Sequence, residues 1–385
     1  MKTETLSIPF GKPMIGQEEI QAVCDVLSGT VLVHGPRAKT FEEDFARFTG
    51  APHAVSVSSC TAALHLSYFY LGLQSGDEVI VPAQTHVATA HAVELCGAKP
   101  VFVDAEKETG NIDLAQIEKK ISSRTRAISV VHFLGMPVNM EEVNRIAQKK
   151  GLFVVEDCAL ALGSTFKGVR AGLHGDTGCF SFYPVKHMTT AEGGMLVTRH
   201  EKIAAAVKLQ KAFGVDRQAD ERSIPGIYDV TALGFNYRLS EIQAAIGIEQ
   251  LKRMETFLKR RKENYEALSK GLAEVSEVRQ FQSSHGDYQS SHYCLSLLLQ
   301  ESLLSKRFEI VEFLKKNGVG TSVYYPQPVP RMTYYKNKYH YDEKSFPVAS
   351  WISQASISLP VGPHLDPEDM KTIVETVKDA IHPFK

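Results

Sequence analysis

Short continuous apolar runs alternate along the chain with segments whose apolar positions recur every three or four residues. Val79–Val81, Val101–Val103, Ala127–His132 and Leu152–Val155 are runs of the first kind. Being strand-sized and without polar alternation, they predict strands buried on both faces. Helical spacing separates them near Val87–Leu95, Leu114–Ile121 and Met140–Lys149. An earlier segment, Gln17–Leu27, sets Ile20, Val23, Cys24 and Leu27 on one helical stripe. Alternation of this kind predicts an α/β fold with a mostly parallel sheet covered by helices on both faces.

A long helical pattern runs from Leu239 to near Leu268, with Arg and Lys on its outer face. Such a helix commonly bridges two domains, and 385 residues suffice for a large and a small one. The expected division is 1–253, a large domain with its N-terminal helix, and 254–385, a smaller α/β C-terminal domain. In the second part Cys294–Leu299 and Thr321–Tyr324 predict strands, and Phe308–Lys316 and Met370–Ile381 predict helices. Gly214–Tyr228, mixed in charge and holding a Pro-Gly pair, predicts a loop. It suits a substrate-side or interface element and an ordinary surface loop equally well.

Three segments carry candidate chemistry. In Ser181-Phe182-Tyr183-Pro184-Val185-Lys186-His187, Lys186 follows the apolar run Cys179–Tyr183 and precedes the pair Gly193-Gly194 and the run Met195–Val197. This predicts strand, tight loop, strand, with Lys186 on the loop. A lysine in a partly dry site has its ammonium disfavoured and its amine available as a nucleophile. Taken alone, an ordinary surface lysine on a hairpin is the simpler reading; the segments that accompany it turn the balance. Upstream, Leu152–Val155 runs into Glu156 and Asp157, and carboxylates at a strand end stand where α/β sheets bind ligands. A pyridoxal phosphate (PLP) enzyme needs this pair: a lysine for the covalent link and an Asp to keep the pyridine nitrogen protonated. Asp157 would also serve as a helix N-cap. Third, alternating valines in Val55-Ser56-Val57 lead into Ser58-Ser59-Cys60-Thr61 and an Ala-rich helical stretch. A helix start with free N–H groups and hydroxyls suits a phosphate, or simple capping by Ser59 or Thr61.

These segments occur in one order with Gly76-Asp77-Glu78-Val79-Ile80-Val81-Pro82, Glu192-Gly193-Gly194-Met195 and Gly234-Phe235-Asn236-Tyr237-Arg238-Leu239. Together they make the chain resemble the DegT/StrS-type nucleotide-sugar aminotransferases, PLP enzymes of fold type I, from about Ile8-Pro9 to the last helix. The resemblance implies a three-layer, aspartate-aminotransferase-like large domain. It implies that Lys186 carries the covalent link to the cofactor and that Asp157 pairs with the pyridinium. Thr61 and Ala62, after Cys60, would hold the phosphate, with a hydroxyl from Ser181. His86 falls where the family stacks an aromatic residue on the cofactor ring. Asn236 matches a position that reaches the phosphate of the neighbouring subunit, which implies an obligate homodimer; Arg238 beside it would meet phosphate or substrate.

For the substrate, His34 in Val33-His34-Gly35-Pro36, His187, and Tyr324 and Tyr325 match regions that line the family's active site. Tyrosines pack on sugar faces while their hydroxyls bond them, although both would also suit a strand. Two positions depart from the family pattern. Leu160 stands where a Gln or His often contacts the cofactor's phenolic oxygen, and Cys60 stands where Gly usually precedes the phosphate threonine. The implied reaction is transfer of an amino group from L-glutamate to a nucleotide-linked keto sugar. A 4-keto-6-deoxyhexose is expected from what much of the family uses, and the setting is amino-sugar, surface-polysaccharide or natural-product biosynthesis. The alternatives are a PLP-dependent sugar dehydratase on the same fold and a non-catalytic regulatory relative. In the dehydratase a histidine replaces the lysine, whereas Lys186 is present here.

Composition narrows the partners. Lys and Arg total 43 against 44 acidic residues, so no global field draws nucleic acid or anionic lipid. Apolar runs are strand-sized and Met1–Thr5 lacks a signal-peptide core, so neither a membrane span nor export is expected, and the expected location is cytoplasmic. Cys24, Cys60, Cys96, Cys158, Cys179 and Cys294 are scattered without a CxxC pair, as for reduced thiols. The fourteen histidines lack zinc-ligand spacing, so no metal is expected. No Gly-x-Gly-x-x-Gly turn or P-loop follows the first strand.

Overall fold

The computed structural model describes residues 8–216, 227–342 and 344–384. Most of the expected loop Gly214–Tyr228 lies outside the described residues; at its flanks Val215 bridges Val230.

The apolar runs form one large sheet. Its strands are β1 (His53–Val57), β2 (Glu78–Pro82), β3 (Lys99–Val103), β4 (Thr125–Val131) and β5 (Phe153–Asp157). After a short hairpin, β6 (Thr165–Phe166) and β7 (Val169–Arg170), come β8 (Thr177–Ser181) and β9 (Gly194–Thr198). The spatial order is β1-β9-β8-β5-β4-β2-β3. Neighbours from β8 to β3 are parallel, whereas β9 runs against both β8 and β1. Ile80, Val81, Val130 and Val155 are fully buried, which is why these strands show no polar alternation.

Helices cover both faces. The first half supplies α1 (Gln17–Leu27), α2 (Pro36–Thr49), α3 (Cys60–Leu71), α4 (Val87–Leu95), α5 (Leu114–Lys120) and α6 (Met140–Lys150). Later come α7 (Glu201–Gln210), α8 (Glu241–Lys252) and α9 (Met254–Gly271). On one face Leu64 and Leu66 of α3, Val93 of α4 and Val207 of α7 share a core with Val55, Val79 and Val81. On the other, Ile117, Val143 and Ile146 pack on Ile80, Ile128 and Val154, and Phe41, Phe45 and Ile248 pack on Phe180, Met195 and Val197. The expected α/β sandwich is therefore present.

The continuous helix expected from Leu239 to Leu268 is two helices. At Arg253 the backbone turns to φ −99° and ψ 0°, and its N–H bonds Gln250 at 3.1 Å instead of continuing the α ladder. The Arg253 guanidinium is drawn to buried Glu19 of α1 and to the Met14 carbonyl, which fixes the joint. Amphipathic periodicity continues across such a joint, so the sequence pattern did not show it. We propose to divide the chain here, 1–253 and 254–385.

A second core lies beyond the joint. Strands β10 (Val278–Gln280), β12 (Leu295–Leu299) and β13 (Ser356–Leu359) form an antiparallel sheet. Strand β11 (Tyr288–Gln289) pairs instead with β6. Helices α10 (Arg307–Lys316) and α13 (Pro367–Ile381) pack with α9 around Leu268, Ile310, Leu314 and Ile373. Helices α11 (Thr333–Tyr339) and α12 (Pro347–Ala355) return to the large-sheet core through Tyr335, Ala349 and Ile352. Thr321–Tyr324, expected as a strand, makes only one bridge, Ser322 to Ser358. Pro326 and Pro328 follow it and have no N–H to extend a ladder.

Candidate active site

The C-terminal end of β5 carries the central carboxylate. Asp157 ends the strand in register with Cys179 of β8 and is buried. It accepts the Thr89 hydroxyl at 2.8 Å and the Ala159 N–H at 3.0 Å, with Cys60 Sγ 3.9 Å away. The Thr85 and Thr89 hydroxyls are 2.7 Å apart. Burial, and then the neighbouring Asp157 charge, push the Cys60 thiol well above its usual range, so it stays a neutral thiol.

Glu156, one residue earlier, projects to the opposite face of the sheet. It accepts from His132 Nε2 at 2.9 Å and from the N–H groups of Gly172, His174 and Gly175 at 2.9, 2.8 and 2.6 Å. Burial alone would raise its pKa; these donors, His132 foremost, hold it below the ordinary carboxylate value. His132 Nδ1 accepts the Val138 N–H at 3.0 Å. His132, Glu156 and Cys158 thus have the donor types of a metal site, yet both ring nitrogens and both carboxylate oxygens are already engaged. His132 and Glu156 thereby fasten β4 and β5 to the 172–175 turn.

A cradle of backbone forms where α3 begins. The Ser59 hydroxyl caps the helix by accepting the Ala62 N–H at 3.1 Å, and a helix start leaves its first N–H groups without helical partners. Gly194 begins β9 against this turn: a Cβ there would lie 2.4 Å from the Ser59 carbonyl carbon and 2.6 Å from Cys60 N. The same glycine pairs with Ser181 on one side and Val57 on the other. Sheet register therefore sets Ser181 opposite the glycine that abuts Ser59 and Cys60. This concave, donor-rich corner fits a phosphate.

Lys186 sits on the connection 182–193, longer than the tight loop expected between β8 and β9. Its N–H bonds Tyr183 at 2.9 Å, and its half-buried side chain sets Nζ 5.3 Å from the centre of the Tyr293 ring. Burial pushes the ammonium pKa down, with Asp157 the main charge opposing it. His86 is the N-cap of α4, its Nδ1 accepting the Ala88 N–H at 3.2 Å. Burial and then Lys186 lower its pKa, so the ring is a neutral imidazole.

The aromatic wall is assembled from distant segments. Tyr324 and Tyr325 are joined by a cis peptide, and the Tyr324 carbonyl accepts Gln84 Nε2 at 2.8 Å. The Tyr324 and Tyr293 hydroxyls are 2.9 Å apart. Tyr325 lies 5.9 Å from the His86 ring, and burial followed by Asp157 raises its pKa. Buried Leu160 packs with Phe133, Tyr293 and Cys294 against both tyrosines, so this side of the crevice is apolar.

The other expected residues lie elsewhere. His187, although adjacent to Lys186, is buried and bonds the Ser291 carbonyl through Nε2 at 3.2 Å. His34 occupies the exposed segment before α2, in a left-handed conformation at φ 62°. Asn236 is exposed on the flank of the α3 turn, where the next residue, Tyr237, accepts the Ser58 N–H at 2.8 Å. The Arg238 guanidinium lies 4.9 Å from the Phe213 ring centre. Thr85, Thr89, Tyr293 and Arg261 were not singled out from the sequence. The two threonines had a usable signal, a hydroxyl one helical turn apart beside His86; Tyr293 and Arg261 had none.

The arrangement presents a desolvated amine, a buried carboxylate, a neutral imidazole and a helix start with free N–H groups around one crevice. Those donors fit PLP: an aldehyde partner, a pyridinium acceptor, a stacking ring and a phosphate cradle. The DegT/DnrJ/EryC1/StrS aminotransferase family model matches residues 13–378. The chain is 35% identical over 378 residues to the Bacillus subtilis spore coat polysaccharide biosynthesis protein SpsC, covering 97% of each. The Streptococcus pneumoniae protein Spr1654 in its PMP form, which carries the description putative sugar aminotransferase, superposes with a TM-score of 0.94 at 30% identity, over 98% of this chain and 100% of that one. Helicobacter pylori PseC, an aminotransferase of pseudoaminic acid biosynthesis, superposes with a TM-score of 0.90 at 28% identity, over 99% and 100%.

Proposed function

Since the chain belongs to the DegT/DnrJ/EryC1/StrS aminotransferase family, whose members use PLP, we propose that it moves an amino group from L-glutamate to a nucleotide-linked keto sugar. The observation that carries this reading is the desolvated Lys186 amine set in one crevice with Asp157. Its sugar relatives support the substrate class, and a 4-keto-6-deoxyhexose remains the specific expectation.

When bound, PLP supplies an aldehyde that captures amines and a ring that withdraws electrons. Lys186 Nζ, whose pKa burial lowers, is the amine that would hold the cofactor's aldehyde carbon and, when free of it, would move a proton at the donor's α-carbon. Asp157, kept aimed by the Thr89 hydroxyl, would hold a proton on the ring nitrogen. Thr61, Ala62 and the Cys60 N–H, with Ser181, would hold the phosphate, and His86 would stack on the ring. Tyr324 and Tyr325 wall the sugar side, with His34 and Arg238 as further contacts.

A second copy completes the site in this reading, with Asn236 reaching the phosphate of its partner. The exposed apolar residues Ile20, Leu27, Val31, Leu32 and Val33, with Phe213 and Leu233 near Asn236, offer the surface such a dimer would cover. The test is an assay of the PLP-loaded enzyme with glutamate against nucleotide-linked 3-keto and 4-keto sugars. Amination of a 4-keto sugar is expected; dehydration without amination, or no reaction with any of them, would reject the proposal.

A further inference from the structure

A small cavity is lined in part by Lys186, and Asp157 is not among its lining residues. Its volume is about 10 Å³, and Lys12, Lys186, His187, Thr189, Gln250 and Arg261 supply its polar lining. That is room for one water-sized occupant. No carboxylate is part of the lining.

Two buried polar atoms of this lining have no partner among the described residues: Arg261 Nε and His187 Nδ1. Their side chains are 6% and 3% exposed. Arg261 uses Nη1 to bond the Tyr293 carbonyl at 3.0 Å, so its Nε–H is a further donor without an acceptor. His187 Nε2 faces the Ser291 carbonyl, which only accepts, so Nε2 carries the proton and Nδ1 is a bare acceptor. Burial, reinforced by Arg261, keeps the ring neutral.

An orphan donor and an orphan acceptor on two residues that line one cavity call for an occupant that both accepts and donates. An anion would satisfy Arg261 and leave Nδ1 facing negative charge. Water satisfies both. We propose that one ordered water accepts from Arg261 Nε and donates to His187 Nδ1, and that this bridge makes His187 and Arg261 positioning residues for Lys186. Because His187 is the next residue in the chain, anchoring its ring at Ser291 and at the water fixes the peptide that carries the lysine. His187 then acts on the amine through the backbone and has no contact with substrate.

The role in positioning rests on the function proposed above, but the water does not, and the two are tested separately. A crystal of the holoenzyme grown with bromide in place of chloride should show a fully occupied peak between Arg261 and His187 without anomalous signal. A bromide peak there, or no peak, would overturn the bridge. For positioning, His187→Gln keeps a donor for Ser291 and an acceptor for the water, whereas His187→Leu keeps neither. The midpoint of the pH titration of the bound cofactor's absorbance band should move by about one unit in His187→Leu and only a few tenths in His187→Gln. Equal shifts, or none, would remove the positioning role. Should His187→Leu not fold, Arg261→Met breaks the same bridge from the other end and is read the same way. A protein that binds no PLP would refute the proposed function while the bromide experiment still decides the water.

Discussion

Thr89 donates its hydroxyl to Asp157 Oδ2 at 2.8 Å, which obliges Thr85, 2.7 Å behind, to donate to Thr89 in turn. A carboxylate at the end of a strand is thereby aimed by the first turn of a helix. Replacing Thr89 by Val should leave Asp157 short of a donor and weaken cofactor binding and kcat by about tenfold, the cost of one buried charged hydrogen bond. Thr89→Ser should recover most of it. Fluorescence titration with PLP and steady-state rates check both.

Lys186→Ala and Lys186→Arg should both abolish turnover, since one lacks the amine and the other stays charged. Neither should form the covalent absorbance band. Substantial transamination by either variant would show that another group does this work.

At Gly194 an added methyl would stand 2.4 Å from the Ser59 backbone, closer than any tolerated contact. Gly194→Ala should therefore push β9 away from the α3 turn, costing about 1–3 kcal/mol of stability. The phosphate corner should loosen with it. Thermal melts with and without PLP would separate the two effects, and an unchanged PLP affinity would argue against this corner as the phosphate site.

Tyr324 and Tyr325 should set KM for the sugar rather than for the amino donor. Tyr324→Phe also removes the 2.9 Å contact with Tyr293, so a small loss of stability is expected there alone. If neither Phe variant alters the sugar's KM, the substrate lies elsewhere.

Acid should destabilise the fold through buried neutral histidines. Burial, then Lys262, push His292 down to about 4 from 6.5. A base with a lowered folded pKa is protonated first in the unfolded chain, so its contribution is complete above 6.5 and lost as pH falls toward 4. At about pH 4.5 the loss is about 3 kcal/mol from this one group. His187 and His86 act in the same direction. Urea unfolding across that range should show the decline, and His292→Phe should flatten it.

The strands Val79–Val81 and Leu152–Val155, helix α1 and the α3 start were legible because each is decided within a few residues, by apolar run length, periodicity or a capping serine. Family markers added Lys186 and Asp157 as a pair. The break at Arg253 was not legible, because its cause is Glu19, far away in the chain. Nor was the partner of His187: resemblance to the family's active-site lining suggested substrate contact, while in the fold its buried ring bonds the Ser291 carbonyl, far away in the chain.

Residue order and periodicity were enough for the layered α/β architecture, and residue chemistry for naming Lys186 and Asp157 as candidates, since both are local properties. Tertiary structure alone decided which groups meet. Thr89 reaches Asp157, Gly194 closes on Ser59, and Tyr293 rises beneath Lys186, each pair brought together by sheet order and helix packing. Burial supplied the rest: exclusion of solvent by the folded chain pulls the Lys186 pKa below that of a lysine in water, which residue identity alone does not do.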